Sequence, residues 1–233
     1  MTMLADLLNK HQAAFHPLFH PDLRTENTYL LDLTMDNKEL ESLDLFDARV
    51  MHDYIFGKIS SHNARYAFGG YMEDRAMYRR SKLFHHPSGK VRSIHLGTDV
   101  WAPEGTEVHL PLNGRVHSFQ NNSQPGDYGP TIIMEHTLEG TSFHTLYGHL
   151  SVDSIQGIHV GQTFSAGDVI ARLGSHKENG DWPPHLHFQV ISRLEDRWGD
   201  FPGVSYADET EAYTAICPDP AAFFRTLTKN QPQ

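Results

Sequence analysis

The chain is expected to fold as a mainly β protein. An antiparallel β-sheet sandwich or barrel-like core occupies residues 83–233, and a mostly helical accessory region occupies residues 1–82. Three observations carry that expectation. Valines, isoleucines and aromatics alternate with polar residues in short runs at 106–110, 115–119, 131–135, 143–147, 169–173 and 185–191. Turn formers stand between the runs: Pro103-Glu104-Gly105, Asn113-Gly114, Pro125-Gly126-Asp127, Gly161 and Gly167-Asp168. Period-two alternation broken every roughly 8–12 residues by such signals is the pattern of an antiparallel sandwich or barrel. Finally, there is no repeat at a solenoid period and no low-complexity tract.

The N-terminal region has a different period. Leu4, Leu7 and Leu8, with Ala13 or Ala14, lie at helical spacing and predict a short amphipathic helix over 3–14. Pro17 and Pro21 end it. A longer helix is expected to start at Asp36, its N-cap, with Leu40, Leu43, Phe46, Val50, Tyr54 and Ile55 on one side. Gly69-Gly70 punctuates a further segment, in which Tyr71, Tyr78 and Phe84 are interleaved with Arg75, Arg79 and Arg80. At the other end a short helix is expected after Cys217-Pro218-Asp219-Pro220, with Phe223, Phe224 and Leu227 turned inward.

Charge and composition exclude several functions. The 233 residues carry 19 Lys+Arg against 29 Asp+Glu, a formal net charge of −10, which is the wrong balance for a nucleic-acid footprint. No stretch approaches the roughly 20 apolar residues of a membrane span. The start lacks the basic residues and apolar run of a signal peptide, so the protein is expected to be cytoplasmic as written, or exported if a leader was removed. The single cysteine, Cys217, excludes an intrachain disulfide and a thiolate metal cage. No feature speaks to oligomeric state. Histidine is the outlier: 17 of them point either to a pH-responsive surface or to imidazoles that hold a metal.

Three pieces of the β region carry chemistry. His95-Leu96-Gly97-Thr98-Asp99 sets a histidine and a carboxylate four apart around a glycine. Tyr147-Gly148-His149-Leu150 ends a strand-like run. In Pro183-Pro184-His185-Leu186-His187-Phe188-Gln189-Val190, a period of two puts His185 and His187 on one face and Leu186, Phe188 and Val190 in the core. Two imidazoles about 7 Å apart on one strand face can serve one metal site in different roles, one binding and one a step away. Nitrogen and oxygen donors without thiolate suit zinc, and three protein ligands leave a position open for water. No Gly-x-Ser-x-Gly, P-loop, dinucleotide fingerprint or His-Glu-x-x-His is present.

These motifs, in this order, resemble the lysostaphin/LytM-type zinc metallopeptidases, a family of Gly-Gly endopeptidases and peptidoglycan endopeptidases. The resemblance also runs through Ala102 to Val108, Asn113-Gly114-Arg115-Val116, Tyr128-Gly129, Ile132 to His136, Val160-Gly161-Gln162 and Gly167 to Ile170. It covers about residues 90–192. It implies a core of the duplicated hybrid motif type with the site in an open groove. It further implies one Zn2+ per chain held by His95, Asp99 and His187, and catalytic roles for His149 and His185, without saying which is the base. His136 is read as support behind the groove. The implied activity is that of a zinc metalloendopeptidase, hydrolysing a peptide bond in a peptidoglycan-type peptide through a zinc-activated water.

The chain departs from the family pattern in four places. The approach to His185 is Gly174-Ser175-His176-Lys177-Glu178-Asn179-Gly180-Asp181-Trp182-Pro183-Pro184, bulkier than usual. Gly129-Pro130-Thr131 replaces a Gly-Asn. Gly89 stands where relatives carry a tyrosine, and the leader of a cell-wall enzyme is missing. Two alternatives follow: a cytoplasmic zinc amidohydrolase or peptidase acting on a small metabolite or muropeptide, and a non-catalytic binding or activator module. The first 82 residues either shield the groove, with His62 and Asn63 as candidates to reach the metal, or extend the core. His16 and His20 are four apart, but Pro17 and Pro21 break the helix that would align them.

Overall fold

The computed structural model describes residues 3–80 and 84–224. An eight-stranded sheet dominates it. In chain order its strands are β1 (Thr28–Leu30), β2 (Tyr66–Gly69), β4 (Thr98–Trp101), β6 (Gly114–Asn122), β7 (Gly129–Leu138), β8 (Thr141–Gly148), β9 (Thr163–Phe164) and β11 (His185–Ile191). Across the sheet they run β1-β2-β4-β11-β8-β7-β6-β9. Two small sheets complete the β structure. One pairs β5 (Glu107–His109) with β10 (Val169–Arg172), the other β3 (Arg92–His95) with β12 (Val204–Tyr206). Every pairing is antiparallel except β1 with β2. All six runs picked out by alternation are strands. The expected face of β11 is observed: Leu186, Phe188 and Val190 are fully buried in the main core cluster.

Residues 3–80 are woven into this architecture. Helix α1 (Met3–His11), extended by a 3-10 turn to Ala14, sinks Leu4 and Leu8 into the main core. The chain then runs along β5, where His16 N–H donates to Pro111 O and His109 N–H donates to Leu18 O. There, despite the two prolines, His16, His20 and His109 do gather, their ring centroids 4.5–5.9 Å apart. Strand β2 pairs with β4 and so extends the main sheet, which the helical reading of this region did not anticipate.

The long helix expected from Asp36 is two pieces. A 3-10 turn, Lys38–Ser42, is capped by Asn37, and helix α2 (Ala48–Ser61) is capped by Asp47. Between them the Asp44 and Asp47 carboxylates accept from the N–H groups of Phe46, Arg49 and Val50, an alternative to helical bonding that short polar side chains offer. Phe46 is consequently 54% exposed, not inward, and Met51, Ile55 and Ile59 form the buried stripe of α2. Helix α3 (Ala76–Arg80) follows. At the C-terminus, helix α4 (Thr210–Ile216) precedes Cys217, and the segment after it is a 3-10 turn, Pro220–Phe223, rather than an α-helix. Phe223 and Phe224 are buried as expected; Leu227 lies outside the described residues. Among the described residues no helix is long and apolar enough to cross a membrane.

Candidate metal centre and its surroundings

Register brings the first two donors together. His187 of β11 lies directly opposite Asp99 of β4, and on its other side opposite Gly148 of β8, one residue before His149. His95 arrives from the end of β3 through Leu96-Gly97. A Cβ on Gly97 would stand 2.7 Å from both His187 Nε2 and Phe188 O, so this turn needs glycine to let the strands close. His95 Nε2, Asp99 Oδ1 and His187 Nδ1 then lie 2.9, 3.0 and 3.2 Å from one another. This is the one group of histidine, cysteine and carboxylate side chains among the described residues arranged to hold a metal ion.

The outer hydrogen bonds settle where the protons are. His95 Nδ1 lies 3.2 Å from Gly70 O, and a carbonyl only accepts, so Nδ1 carries the proton and Nε2 is bare. His187 Nε2 lies 2.9 Å from Gln189 Oε1. The Gln189 amide cannot turn around, because its Nε2 donates to Pro202 O and to Cys217 Sγ. His187 Nε2 therefore donates, and His187 Nδ1 is bare. Two imidazole lone pairs and a carboxylate oxygen face one another with no proton between them. A bound cation would satisfy that arrangement, and its nitrogen and oxygen donors fit a divalent metal of the zinc type.

The other oxygen of Asp99 is held by Arg75, whose Nη1 donates to Oδ2 at 2.5 Å. Arg75 Nε donates to Glu73 Oε2 at 2.8 Å, and its side chain is almost wholly buried. Burial works against the Asp99 charge, yet His95 and Arg75 keep its carboxyl well below the usual range. Burial, reinforced by Arg75, lowers His95 to about 4. Both effects favour the deprotonated donors that a metal requires.

Two further imidazoles stand beside the donors. His149, in left-handed backbone at φ 61°, donates from Nδ1 to Asn179 O at 2.8 Å. His185 donates from Nδ1 to Pro183 O at 2.7 Å and stacks on Trp101. Each is left with a bare Nε2. Their rings are 4.1 Å apart, and His185 Nε2 is 3.8 Å from Asp99 Oδ2. Burial lowers the pKa of both, and the neighbouring His185 deepens the effect on His149. They are neutral bases facing the metal-binding group.

All five site residues picked from the sequence thus converge. Arg75 was not picked: one arginine among Arg75, Arg79 and Arg80 has no local mark that distinguishes it. Gln189 was legible, because it continues the period-two face of His185 and His187. Tyr78 and Tyr128 line the site where Gly89 left the family's tyrosine missing; the Tyr128 hydroxyl is 3.3 Å from His187 Nε2. Two readings are corrected. His136 bonds Asn113 O and Thr145 Oγ1 at the far end of β7, and no hydrogen bond described joins it to the five. His62 and Asn63 are exposed at the end of α2, where their carbonyls accept from Asn27, and neither reaches the donors.

Part of the chain is similar in sequence to known peptidases. Residues 93–197 match the family model of peptidase family M23. The chain is 33% identical over 106 residues to the DD-carboxypeptidase/endopeptidase Mpg of Neisseria meningitidis, and equally to that of Neisseria gonorrhoeae. The match covers 45% of this chain and spans only 22% of the length of those relatives. Among solved structures, a zinc-containing peptidase from Vibrio cholerae is 32% identical, covering 46% of this chain and 29% of that one at a TM-score of 0.36. The catalytic domain of lysostaphin from Staphylococcus simulans is 25% identical, covering 56% and 86% at a TM-score of 0.37. His95, Asp99, His149, His185 and His187 all fall within residues 93–197, the segment that matches the model of peptidase family M23.

Proposed function

We propose that the chain is a zinc-dependent metallopeptidase that hydrolyses a peptide bond, with peptidoglycan-type peptides as its substrate class. The observation that carries this reading is the meeting of three proton-free donor atoms, on His95, Asp99 and His187, beside two more bare imidazole nitrogens. The relatives' activities and the matched family support it. One Zn2+ per chain would be held by those three side chains. When bound, it supplies Lewis-acid polarisation of a carbonyl and lowers the pKa of water toward about 7.

The chain's own residues do the rest. His149 and His185, neutral and bare at Nε2, are placed to take a proton from the attacking water and to return it to the leaving amine. The water oxygen joins the carbonyl carbon, the C–N bond breaks, and the amine departs with the proton. A protonated His185 then faces the Asp99 carboxylate at 3.8 Å, which favours the transient charge. Arg75 and Gln189 position the donors without touching substrate. The retained set of five residues favours catalysis over a binding module that only keeps the fold.

The test is metal content together with turnover. Purified protein should contain close to one zinc per chain and release new amines from peptidoglycan-derived peptides. The release should stop with chelator or with His187→Ala. Hydrolysis that survives both treatments would exclude the reading, as would protein that neither binds zinc nor cleaves any peptide.

A further inference from the structure

We infer that this site takes short free peptides, of two or three residues, in preference to cross-linked polymer, because the N-terminal region narrows the cleft in front of it. The inference rests on the peptidase reading above and narrows its substrate.

The resemblance implies an open groove, and the site lies at the foot of a cleft that the N-terminal region narrows on one side. No side chain among His95, Asp99, His149, His185 and His187 belongs to a residue more than 5% exposed. The space in front of them is a cavity of about 380 Å³, at the small end of the roughly 300–1,000 Å³ typical of small-molecule sites. Met51 and Ile55 of α2 and Met77 and Tyr78 of α3 form one wall, and Trp182 of the loop before β11 forms the other. The two walls meet. Tyr78 and Trp182 contact edge to face with ring centroids 6.4 Å apart, and Trp182 reaches His149 in the same way. Rings at that distance leave no room for a chain to pass between them.

The wall is anchored to the catalytic strands. Strand β2 is hydrogen-bonded to β4 with Gly69 opposite Asp99, and Arg75, one residue before α3, forms the buried ion pair with Asp99 itself. Lifting the wall would strip the metal-binding carboxylate of its cation and leave buried charges unpaired, so it is part of the site rather than a detachable cover. The remaining lining includes Arg197, Asp127 and Asp200. Both charge signs suit the terminal ammonium and carboxylate that a short free peptide carries close together. Each turnover consumes one water, whose oxygen goes to the carbonyl carbon as the C–N bond breaks and the amine takes a proton. A dipeptide therefore yields two free amino acids.

The experiment uses the full chain loaded with zinc and compares purified peptidoglycan sacculi with a panel of di-, tri- and hexapeptides of mixed chirality. Amine release reports cleavage. Quenching of tryptophan fluorescence reports binding, since Trp101 and Trp182 both line the cavity. The expected result is cleavage and quenching by di- or tripeptides, at least 100-fold faster per bond than any release from sacculi. Met77→Ala should extend the length limit by about one residue. Release from sacculi or hexapeptides within tenfold of the short-peptide rate overturns the inference, as does an unchanged length limit in Met77→Ala. Quenching by short peptides with no cleavage of anything leaves the size selection standing and removes the peptidase reading. Neither quenching nor cleavage by short peptides removes both.

Discussion

Arg75 Nη1 donates to Asp99 Oδ2 at 2.5 Å, which ties the N-terminal region to the carboxylate of the candidate metal centre through a buried ion pair. The guanidinium fork also holds Glu73, whose pKa burial raises and Arg75 opposes. One cation thus steadies two acids that the core would otherwise repel. The relationship fixes which oxygen of Asp99 is left to face His95 and His187.

Arg75→Met should destabilise the protein by about 3–5 kcal/mol, because it leaves buried carboxylates without their cation. Urea unfolding with and without zinc measures this. Arg75→Lys should recover only part of the loss, since a single ammonium cannot reproduce the fork to Glu73 and Asp99. Unchanged stability in Arg75→Met would show that the ion pair contributes nothing net.

Gln189→Leu removes the acceptor that keeps the His187 proton on Nε2. Zinc affinity should weaken about 10–100-fold, as for other partners that orient a metal-bound imidazole. Competition with a calibrated chelator reads it directly. The fold should persist at some cost in stability, since the backbone pairing of the strand is kept while Pro202 O and Cys217 Sγ lose their donor; an unaltered affinity would exclude the orienting role.

His149→Ala and His185→Ala should separate chemistry from metal binding. Each should lose about 10²–10⁴-fold in turnover while keeping its zinc, the range for removing a general acid or base. His187→Ala should lose both. Zinc missing from purified His149→Ala would move that residue into the ligand set.

Stability should fall in mild acid for a reason remote from the site. Burial lowers His136 and His144 to about 4, against an ordinary value of 6.5. Above pH 6.5 folded and unfolded chains are both neutral at these positions, and the full contribution is present. As pH falls below 6.5 the unfolded chain takes up protons that the folded chain refuses, so stability is lost down to about pH 4. For the fully buried His136 the slope is at most about 1.4 kcal/mol per pH unit. Urea midpoints of metal-free protein at pH 7.5, 6 and 5 should decline, and less steeply in His136→Gln. Parallel declines in the two proteins would refute the assignment.

The sequence by itself made legible the β core, through local alternation, and the five candidate residues that cluster, through their motifs and the resemblance those carry. Alternation along a strand decides which side chains share a face, so His185, His187 and Gln189 must line up whatever surrounds them. The turn around Gly97 likewise brings His95 and Asp99 together by geometry that spans five residues. Helix ends were less legible, because the Asp44 and Asp47 carboxylates compete for backbone N–H groups, and only the packing of Met51 and Ile55 shows which piece of helix is buried. The tertiary structure alone decided the rest. Sheet pairing places β2 beside β4, and from that one non-local contact follow the partnership of Arg75 with Asp99 and the closing of Tyr78 on Trp182. No local pattern distinguishes Arg75 from Arg79 or Arg80. What selects it is burial beside an acid that lies 24 residues further along the chain.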